Sequence, residues 1–485
     1  MADIVILGAG ISGHTAALHL RRLLSKEHRV VVVSPNSKWN WIPSNIWVGI
    51  GKMTAKDVTF ELAPIYKRKK IEFHQAKGTV IHPEGDAEHG RPYVDIEYTD
   101  PKRAGEVTQL EYDYLINATG PRLNFAATPG LGPDEGNTWS VCSAQHAVEC
   151  AEHLDEVIKE MKAGAEKTLV VGMGSGVCTC EGAAFEYTFN VENQLRQAGV
   201  RDKATLIYLT NEKELGDFGV DGMRFVDQGF ETSSELWAGS LFRERGVKPI
   251  LGAACKEITK DVIRYETLEG TFHELPYDFA MLLPPFTGQP LEAKDKDGND
   301  ITSELFAPNR FMKVDADYTP KPYEEWRAED WPNTYECVGY PNIFAVGIAF
   351  APPHPISRPR KSPSGTMIAP APPRTGMPSG VMGKTAAKTI VKRIKHGNSA
   401  AAERASLANM GAACVASTGL GAFKGSAASM TMMPVVPDYS RTPTGRNIKQ
   451  TRGRIGLGGH WVKYMLHILF IYKAKALPGW QLIPE

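Results

Sequence analysis

Asp3-Ile4-Val5-Ile6-Leu7-Gly8-Ala9-Gly10-Ile11-Ser12-Gly13 stands almost at the start of the chain and decides how the rest is read. A β-rich apolar run ends in G-x-G-x-x-G, an Ala/Leu-rich stretch continues to Leu24, and a second β-rich run covers Val30 to Val33. Strand, glycine turn, helix and strand in this order predict a βαβ unit that holds a dinucleotide. Each glycine has a separate task. Gly8 permits the tight turn, Gly10 lets backbone approach a pyrophosphate, and Gly13 lets helix and strand pack closely at the positive end of the helix dipole. An acidic residue usually grips the ribose at the end of the second strand, but here the chain reads Val33-Ser34-Pro35, and Ser34 offers one hydroxyl.

The pattern returns further on. Lys167 to Val171 reads as a strand, Gly172-Met173-Gly174-Ser175-Gly176 follows, and a helix-like run begins near Glu181. Here the third glycine is displaced, Cys178 and Cys180 fill the turn, and the next strand, Ala204 to Leu209, ends in Thr210 without an acidic ribose ligand. These departures argue against NAD in the second unit. Two further runs read as buried strands ending in glycine, Tyr114 to Asn117 running into Ala118-Thr119-Gly120 and Asn342 to Val346 running into Gly347.

With 485 residues, 42% of them hydrophobic and 23% charged, the chain suits a multidomain globular enzyme. Lys+Arg and Asp+Glu both number 55, so no global charge recruits nucleic acid. No signal peptide is expected from the first residues. The longest late apolar run, Tyr464 to Tyr472, falls well short of the roughly 18 residues that a spanning helix needs. Seven cysteines make an odd set without a disulfide framework or metal-ligand spacing, and no C-x-x-C-H is present. Cys150 and Cys255 read as small buried hydrophobes. Cys178 and Cys180 are different, because a helix N-terminus lowers a thiol pKa and raises the thiolate fraction.

Several segments carry a family resemblance. The strands ending in Ala118-Thr119-Gly120 and Gly347 look like those that close over FAD in glutathione-reductase-like flavoproteins. Trp41-Ile42-Pro43-Ser44-Asn45, Val141 to Ala147, the Gly172 to Cys180 turn leading into Gly182-Ala183-Ala184-Phe185-Glu186-Tyr187, Leu283 to Gly288, and Pro373-Arg374-Thr375-Gly376-Met377 together resemble the sulfide:quinone oxidoreductases and flavocytochrome c sulfide dehydrogenases. The resemblance implies a two-electron oxidation of sulfide, or a related sulfur compound, to sulfane sulfur or polysulfide. FAD takes the electrons and a membrane quinone receives them. It places FAD against Gly8, Gly10, Gly13, Ser34, Pro43, Ser44, Asn45, Ala118, Thr119, Gly120, Gly347, Ile348, Arg374, Thr375 and Gly376. By position, Cys180 matches one redox cysteine, Cys142 an additional one, and His146 a histidine suited to proton transfer.

One departure is large. Where the family has a cysteine beside the flavin, this chain reads Val346-Gly347-Ile348-Ala349. A second family histidine is replaced near Asp217. Three explanations stand side by side: Cys180 pairs with Cys178; Cys337, Cys414 or Cys142 takes the role; or sulfide is not the substrate. Two alternatives follow, a type-II NADH:quinone oxidoreductase and a flavin-binding electron-transfer subunit of a larger sulfur-metabolising complex.

The C-terminal third begins with Ile356 to Pro378, crowded with Pro, Ser, Gly and basic residues and read as a long irregular loop. A helix is expected over Gly380 to Lys395, a linker around Asn398 to Ala405, and a Met-rich β-hairpin over Ala412 to Pro437. His460 to Lys475 combines aromatics, aliphatics and lysines and suits an interfacial anchor, with lysines reaching toward phosphates, or else a packed terminal helix. The expectation is an α/β chain with two Rossmann-like dinucleotide-binding domains of glutathione-reductase type and a C-terminal amphipathic membrane-associating region. Its segments are 1–125 and 291–397 for the FAD domain, 126–290 for the second Rossmann-like domain, and 398–485 for hairpin and anchor. Such a protein would be monotopic on a prokaryotic cytoplasmic membrane, and a homo-oligomer is left open.

Overall fold

Strand Asp3–Leu7 is apolar on both faces because both are covered, one by helices and the other by the antiparallel sheet that brings Gly78 against Leu7. A computed structural model, describing residues 1–373, 376–419 and 423–485, sets the strand inside a six-stranded sheet. The order is Glu336–Cys337, Tyr340–Ala345, Tyr114–Asn117, Asp3–Leu7, Arg29–Val33 and Glu72–His74, with only the first pair antiparallel. The sheet thus joins the first residues to a strand more than two hundred positions beyond Asn117. Helices Ile11–Leu23 and Gly376–His396 pack together beneath it, and a side chain at Gly383 would run into the backbone of Ser12. The second helix starts four residues before the sequence-based expectation.

Between these strands lies a second parallel sheet, ordered Lys248–Ile250, Ala204–Leu209, Lys167–Met173 and Phe279–Leu283. Helix Glu181–Gln197 follows its glycine turn. Ala253–Ile258, Val262–Thr267 and Phe272–Pro276 form an antiparallel sheet beside it.

The Pro-rich stretch after Ile356 is not irregular throughout. Met367–Pro370 is a strand that pairs in parallel with Val177–Cys178, Val177 opposite Ala369 and Cys178 opposite Pro370. The Ser357 hydroxyl donates to Asp217, and the hydroxyls of Ser362, Ser364 and Thr366 converge on Glu266. Serines and prolines read as loop markers are here the devices that pin one strand across another unit.

Ala412–Gly419 and Gly425–Met432 form the expected hairpin, and Arg452–Gly456 adds a third strand that its short, glycine-rich sequence hides. Helix Leu457–Ala474 lies across this sheet. Its polar face is the buried one. His460 Nδ1 lies 2.7 Å from the Ser417 hydroxyl, and Lys463 Nζ donates to Glu186 at 2.8 Å. Lys473 Nζ donates to the carbonyls of Ile483 and Pro484 and pairs with Glu485. Lys463 and Lys473 therefore do not reach outward as expected: charged partners inside the protein hold them there. The outward face carries Trp461, Val462, Met465, Ile468 and Tyr472. No helix is long and apolar enough to cross a membrane, among the described residues.

Candidate active site

The first glycine turn is shaped for a ligand. Gly8 adopts φ +101°, and a Cβ there would collide with the Ala118 carbonyl, so the strand carrying Ala118-Thr119-Gly120 closes directly over the turn. A Cβ at Gly13 would run into the Gly8 carbonyl and lie 2.9 Å from the Ala118 Cβ. Gly10 is exposed, with nothing within 4 Å of a Cβ position. It caps helix Ile11–Leu23 without a side-chain hydrogen bond, which leaves the first amides of that helix directed at the open space. Gly347 (φ +69°) completes the closure, since a Cβ there would sit 2.6 Å from the Ser12 hydroxyl. An open glycine, orphan amides and a positive dipole end fit the pyrophosphate of FAD. Gly8 to Ser12 would hold it, with Thr119, Gly120 and Gly347 beside them.

Other residues expected beside the cofactor also hold partners inside the protein. The Asn45 amide exchanges hydrogen bonds with Asn40 and donates to the Val141 carbonyl at 3.2 Å. The Ser44 hydroxyl lies 2.9 Å from His467 Nδ1, tying the terminal helix to the first domain, with Pro43 half-buried in the turn before it. Ser34 is buried and accepts a long 3.4 Å bond from the Asn36 amide. The Asn45 and Ser44 side chains are thus engaged within the protein, while the Ser34 hydroxyl keeps its own O–H to donate. Ile348 is half-buried, Gly376 opens its helix, and Arg374 and Thr375 lie outside the described residues.

The second glycine turn is filled. A Cβ on Gly172 would strike the Leu209 carbonyl, one on Gly174 would lie 2.6 Å from Leu131, and one on Gly176 would meet the Met367 carbonyl and the Ala254 Cβ. Strand Met367–Pro370 supplies the occupant: the Ala369 amide donates to the Gly176 carbonyl at 2.9 Å and the Ala371 amide to Cys178. Asn211 adds its amide to the Gly176 and Ala369 carbonyls. Protein thus takes the space beside the turn and its Gly176 carbonyl, and the Gly174 amide donates to the Leu283 carbonyl at 2.8 Å. An acid does follow the strand, two residues later than the expected ribose position. Glu212 turns inward, accepting from the Thr210 hydroxyl at 2.9 Å, the Tyr208 hydroxyl at 3.2 Å and the Phe218 amide at 2.9 Å.

Thiols gather where this turn meets helix Glu181–Gln197. Cys178 is buried and donates to the Leu283 carbonyl at 3.0 Å. Burial drives its pKa well up, reinforced by the nearby Glu181 charge, so the thiolate expected from the helix dipole is not what the site favours there. Cys180 sits half-buried at the helix N-cap with φ +77°. Cys142 is electrostatically coupled to Cys178, and burial pushes it up to about 11. The Nδ1 of His146, in the first turn of helix Ala144–Lys162 that follows Cys142, is buried without a hydrogen-bond partner among the described residues, its ring edge-on to Phe125 at 5.8 Å. Cys414 enters from the hairpin, its Sγ 2.7 Å from the Cβ position of Gly182. Cys337 is excluded from this group, lying in the edge strand of the first sheet beside Tyr340. Cys150 and Cys255 are core residues bonded to Tyr187 and the Met173 carbonyl. Ala349 is buried and its carbonyl accepts from the Met312 amide at 2.9 Å.

The pyridine nucleotide-disulphide oxidoreductase family matches residues 2–283, a span containing both glycine turns. The chain belongs to this family. It is an FAD-dependent oxidoreductase, and the two Rossmann-type sheets of the expected α/β class are both present. A sulfide-quinone reductase of Aquifex aeolicus is 28% identical over 472 residues, covering 97% of this chain and 91% of that protein. The crystal structure of the sulfide:quinone oxidoreductase of that bacterium matches with a TM-score of 0.74 at 26% identity, covering 98% of this chain and 92% of the other. The structure of NDH2 from Plasmodium falciparum in complex with NADH shares the fold alone, with a TM-score of 0.61 at 13% identity over 99% and 95% of the two chains.

Sequence reasoning gave no role to Glu181, Glu212 or Arg446, and named Asp217 only as the position of a replaced histidine. Glu181 is fully buried, and neither carboxylate oxygen has a hydrogen-bond partner among the described residues. Burial and the neighbouring Glu212 and Asp217 charges raise its pKa well above the carboxylate range. Burial likewise lifts Glu212 to about 7 and Asp217 to about 6. Arg446 lies buried beneath the 217–222 turn, donating to the carbonyls of Val220, Gly222, Pro434 and Val435. Two clues were visible beforehand: a glutamate directly following the cysteine before a helix, and Asp217 near the place of a family histidine.

Proposed function

We infer that this chain oxidises sulfide or a related sulfur compound at Cys180 and delivers the electron pair to a quinone, working at a membrane surface. The observation that carries this reading is the contrast between an open first glycine turn and a second one sealed by Met367–Pro370, with thiols at its edge. Bound FAD supplies the two-electron acceptor for this chemistry. Cys180 presents the reacting sulfur at a helix N-terminus, where developing negative charge is favoured. Cys142 lies just before helix Ala144–Lys162 and His146 in its first turn, His146 as a group able to move a proton. Apolar side chains around Cys178 and Cys142 keep water away from the sulfur intermediates.

The likeness to the Aquifex sulfide-quinone reductase supports the choice of substrates. The outward face of the terminal helix, with Ile468 51% and Met465 50% exposed, supports contact with a lipid surface where a quinone is dissolved. Segment 126–290 is then the sulfur-handling unit, 1–125 with 291–397 the flavin unit, and 398–485 the docking region.

Anaerobic stopped-flow mixing with sulfide tests the reading. Flavin absorbance should bleach in the wild type and persist in Cys180→Ser, with a slower phase in Cys142→Ser. Unchanged bleaching in both variants would sink the thiol mechanism. Met465→Lys with Ile468→Lys should abolish co-sedimentation with phospholipid vesicles. A second reading is favoured by Ala349: an electron-transfer subunit whose partner performs the sulfur step. Its sign would be co-purification with a haem or iron–sulfur protein and no turnover alone.

A further inference from the structure

Lys463 and Lys473 of the terminal helix face inward, yet cations gather beside the end of that helix from another part of the chain. Arg21, Arg22 and Lys26, at the end of helix Ile11–Leu23 and just after it, and Arg68, Lys69 and Lys70, at the end of helix Leu62–Lys69, line one groove of about 490 Å³. Its apolar lining is Leu18, Leu24 and Trp480. Past Arg68, Lys69 and Trp480 the groove continues into a second hollow of about 380 Å³, walled by the 476–481 turn. The whole chain balances 55 basic against 55 acidic residues, but no acid lines either hollow.

The helix ends do not account for so many cations. Each C-terminus carries about half a negative charge, so the two together offset about one of the six positive charges. None of the six pairs with a carboxylate among the described residues. Arg21 donates to the carbonyls of His28 at 2.9 Å and Leu24 at 3.0 Å, and Arg68 donates to the Lys475 carbonyl. The side chains of Arg22, Lys26, Lys69 and Lys70 have no protein acceptor among the described residues. Burial, with the Arg68 charge beside it, lowers the pKa of Lys69, and no acid offsets them. Glu27 is engaged by the Ser25 hydroxyl at 2.6 Å, and Glu485, 3% exposed, is paired with His19 and Lys473. Unrelieved repulsion among like charges is what a bound anion removes.

The groove also meets the outward face of the terminal helix. Tyr472, on that face, donates its hydroxyl to the Pro478 carbonyl at 2.6 Å, and Pro478 with Leu477 lines the second hollow. Leu482, 82% exposed, follows the same turn. A cationic hollow therefore opens at one end of the apolar face that carries Met465 and Ile468.

We propose that this groove binds the phosphodiester headgroup of an anionic phospholipid, with Arg22, Lys26, Lys69 and Lys70 meeting the phosphate and Leu477 and Pro478 meeting the start of the acyl chains. Such a site deepens the membrane docking inferred above, on which it rests, by naming the lipid selected. Apolar lining and continuity with the apolar face favour a lipid over free phosphate, since a compact ion uses neither. The reach toward phosphates expected of the terminal helix's own lysines thus passes to the first unit.

Co-sedimentation of the holoprotein with vesicles of phosphatidylglycerol in phosphatidylcholine, set against phosphatidylcholine alone, tests the site. Each cation near an anionic surface is worth about five-fold in binding, so Arg22→Gln with Lys26→Gln and Lys69→Gln should weaken binding to the anionic vesicles about 100-fold. Binding to neutral vesicles and flavin content should stay as in the wild type. Equal loss on both vesicles, or no loss on either, would overturn the site. Dihexanoyl-phosphatidylglycerol, titrated as monomers, separates the groove from the docking. A wild type that ignores vesicles but binds this lipid, with binding lost in the triple variant, would remove the docking and leave the groove standing. Inorganic phosphate or dihexanoyl-phosphatidylcholine binding equally well would overturn the lipid assignment. Preference for anionic vesicles without monomer binding would show a diffuse attraction and overturn the groove.

Discussion

Both sheets carry a strand, a glycine turn and a helix, yet one turn is empty space bounded by amides and the other is packed with protein. At Gly10 a side chain would meet nothing, whereas at Gly176 it would meet a strand from the far end of the sequence. The glycines persist in both for the same steric reason, close approach of backbone, but only the first keeps that approach for a cofactor. A glycine motif therefore reports that something comes close, and what comes close has to be read from the rest of the fold.

The strongest way to break this comparison is Gly8→Ala. The positive φ costs about 1–2 kcal/mol and the collision with the Ala118 carbonyl about 1–3 kcal/mol more, so FAD content and cooperative unfolding should both be lost. Absorbance at the flavin band with urea unfolding measures the two together. Retained stoichiometric flavin would show that the first turn is not held shut by the Ala118 strand.

Glu212 sharpens the comparison next, because in the second unit an acid near the ribose position has turned inward. Its folded pKa, about 7, lies above the ordinary 4.5, so the protonated form is favoured by folding. That stability is complete below about pH 4.5 and disappears as the pH rises through 7, a change on the order of 3 kcal/mol. Asp217, raised to about 6, acts in the same direction. Urea midpoints should fall from pH 5 to pH 8, and Glu212→Gln should flatten the fall. A wild type more stable at pH 8 than at pH 5 would contradict the inward, neutral acid.

Gly176→Ala comes third, at about 1–3 kcal/mol of overpacking against Met367 and Ala254. Flavin stoichiometry in the folded fraction should stay unchanged, in contrast with Gly8→Ala. Loss of flavin without loss of stability would mean the two turns are not independent.

Periodicity and glycine spacing made both turns legible, because each is local: strand, turn and helix lie within about 25 residues and obey one packing rule. Strand Met367–Pro370 was not legible. Its partner lies almost two hundred residues earlier, and its prolines, read locally, argue for loop. Cys414 stayed one option among several for the same reason, since only the hairpin's long-range packing sets it against Gly182. The terminal helix was half legible. Its apolar content was plain, but lysines default to solvent, and only Glu186 and Glu485, remote in sequence, turn Lys463 and Lys473 inward.

The smallest expected effect is no effect, and it bears most directly on the comparison. NADH added to the anaerobic holoprotein should leave the flavin oxidised and the unfolding midpoint where it was. A dinucleotide entering the second unit would need the space beside the Gly172–Gly176 turn, and Met367–Pro370 occupies the Gly176 side of it, its pairing reinforced by Asn211, while the Gly174 amide already donates to the Leu283 carbonyl. It would also need a ribose acceptor, and Glu212 has all its near partners inside the protein. Opening the site means breaking several buried hydrogen bonds at a net cost of about 1 kcal/mol each, with more for any polar group left unpaired. NADH would have to return that energy before binding at all. Rapid bleaching by NADH would therefore mean that this strand moves aside, and it would turn the second turn from a sealed relic into a gated site.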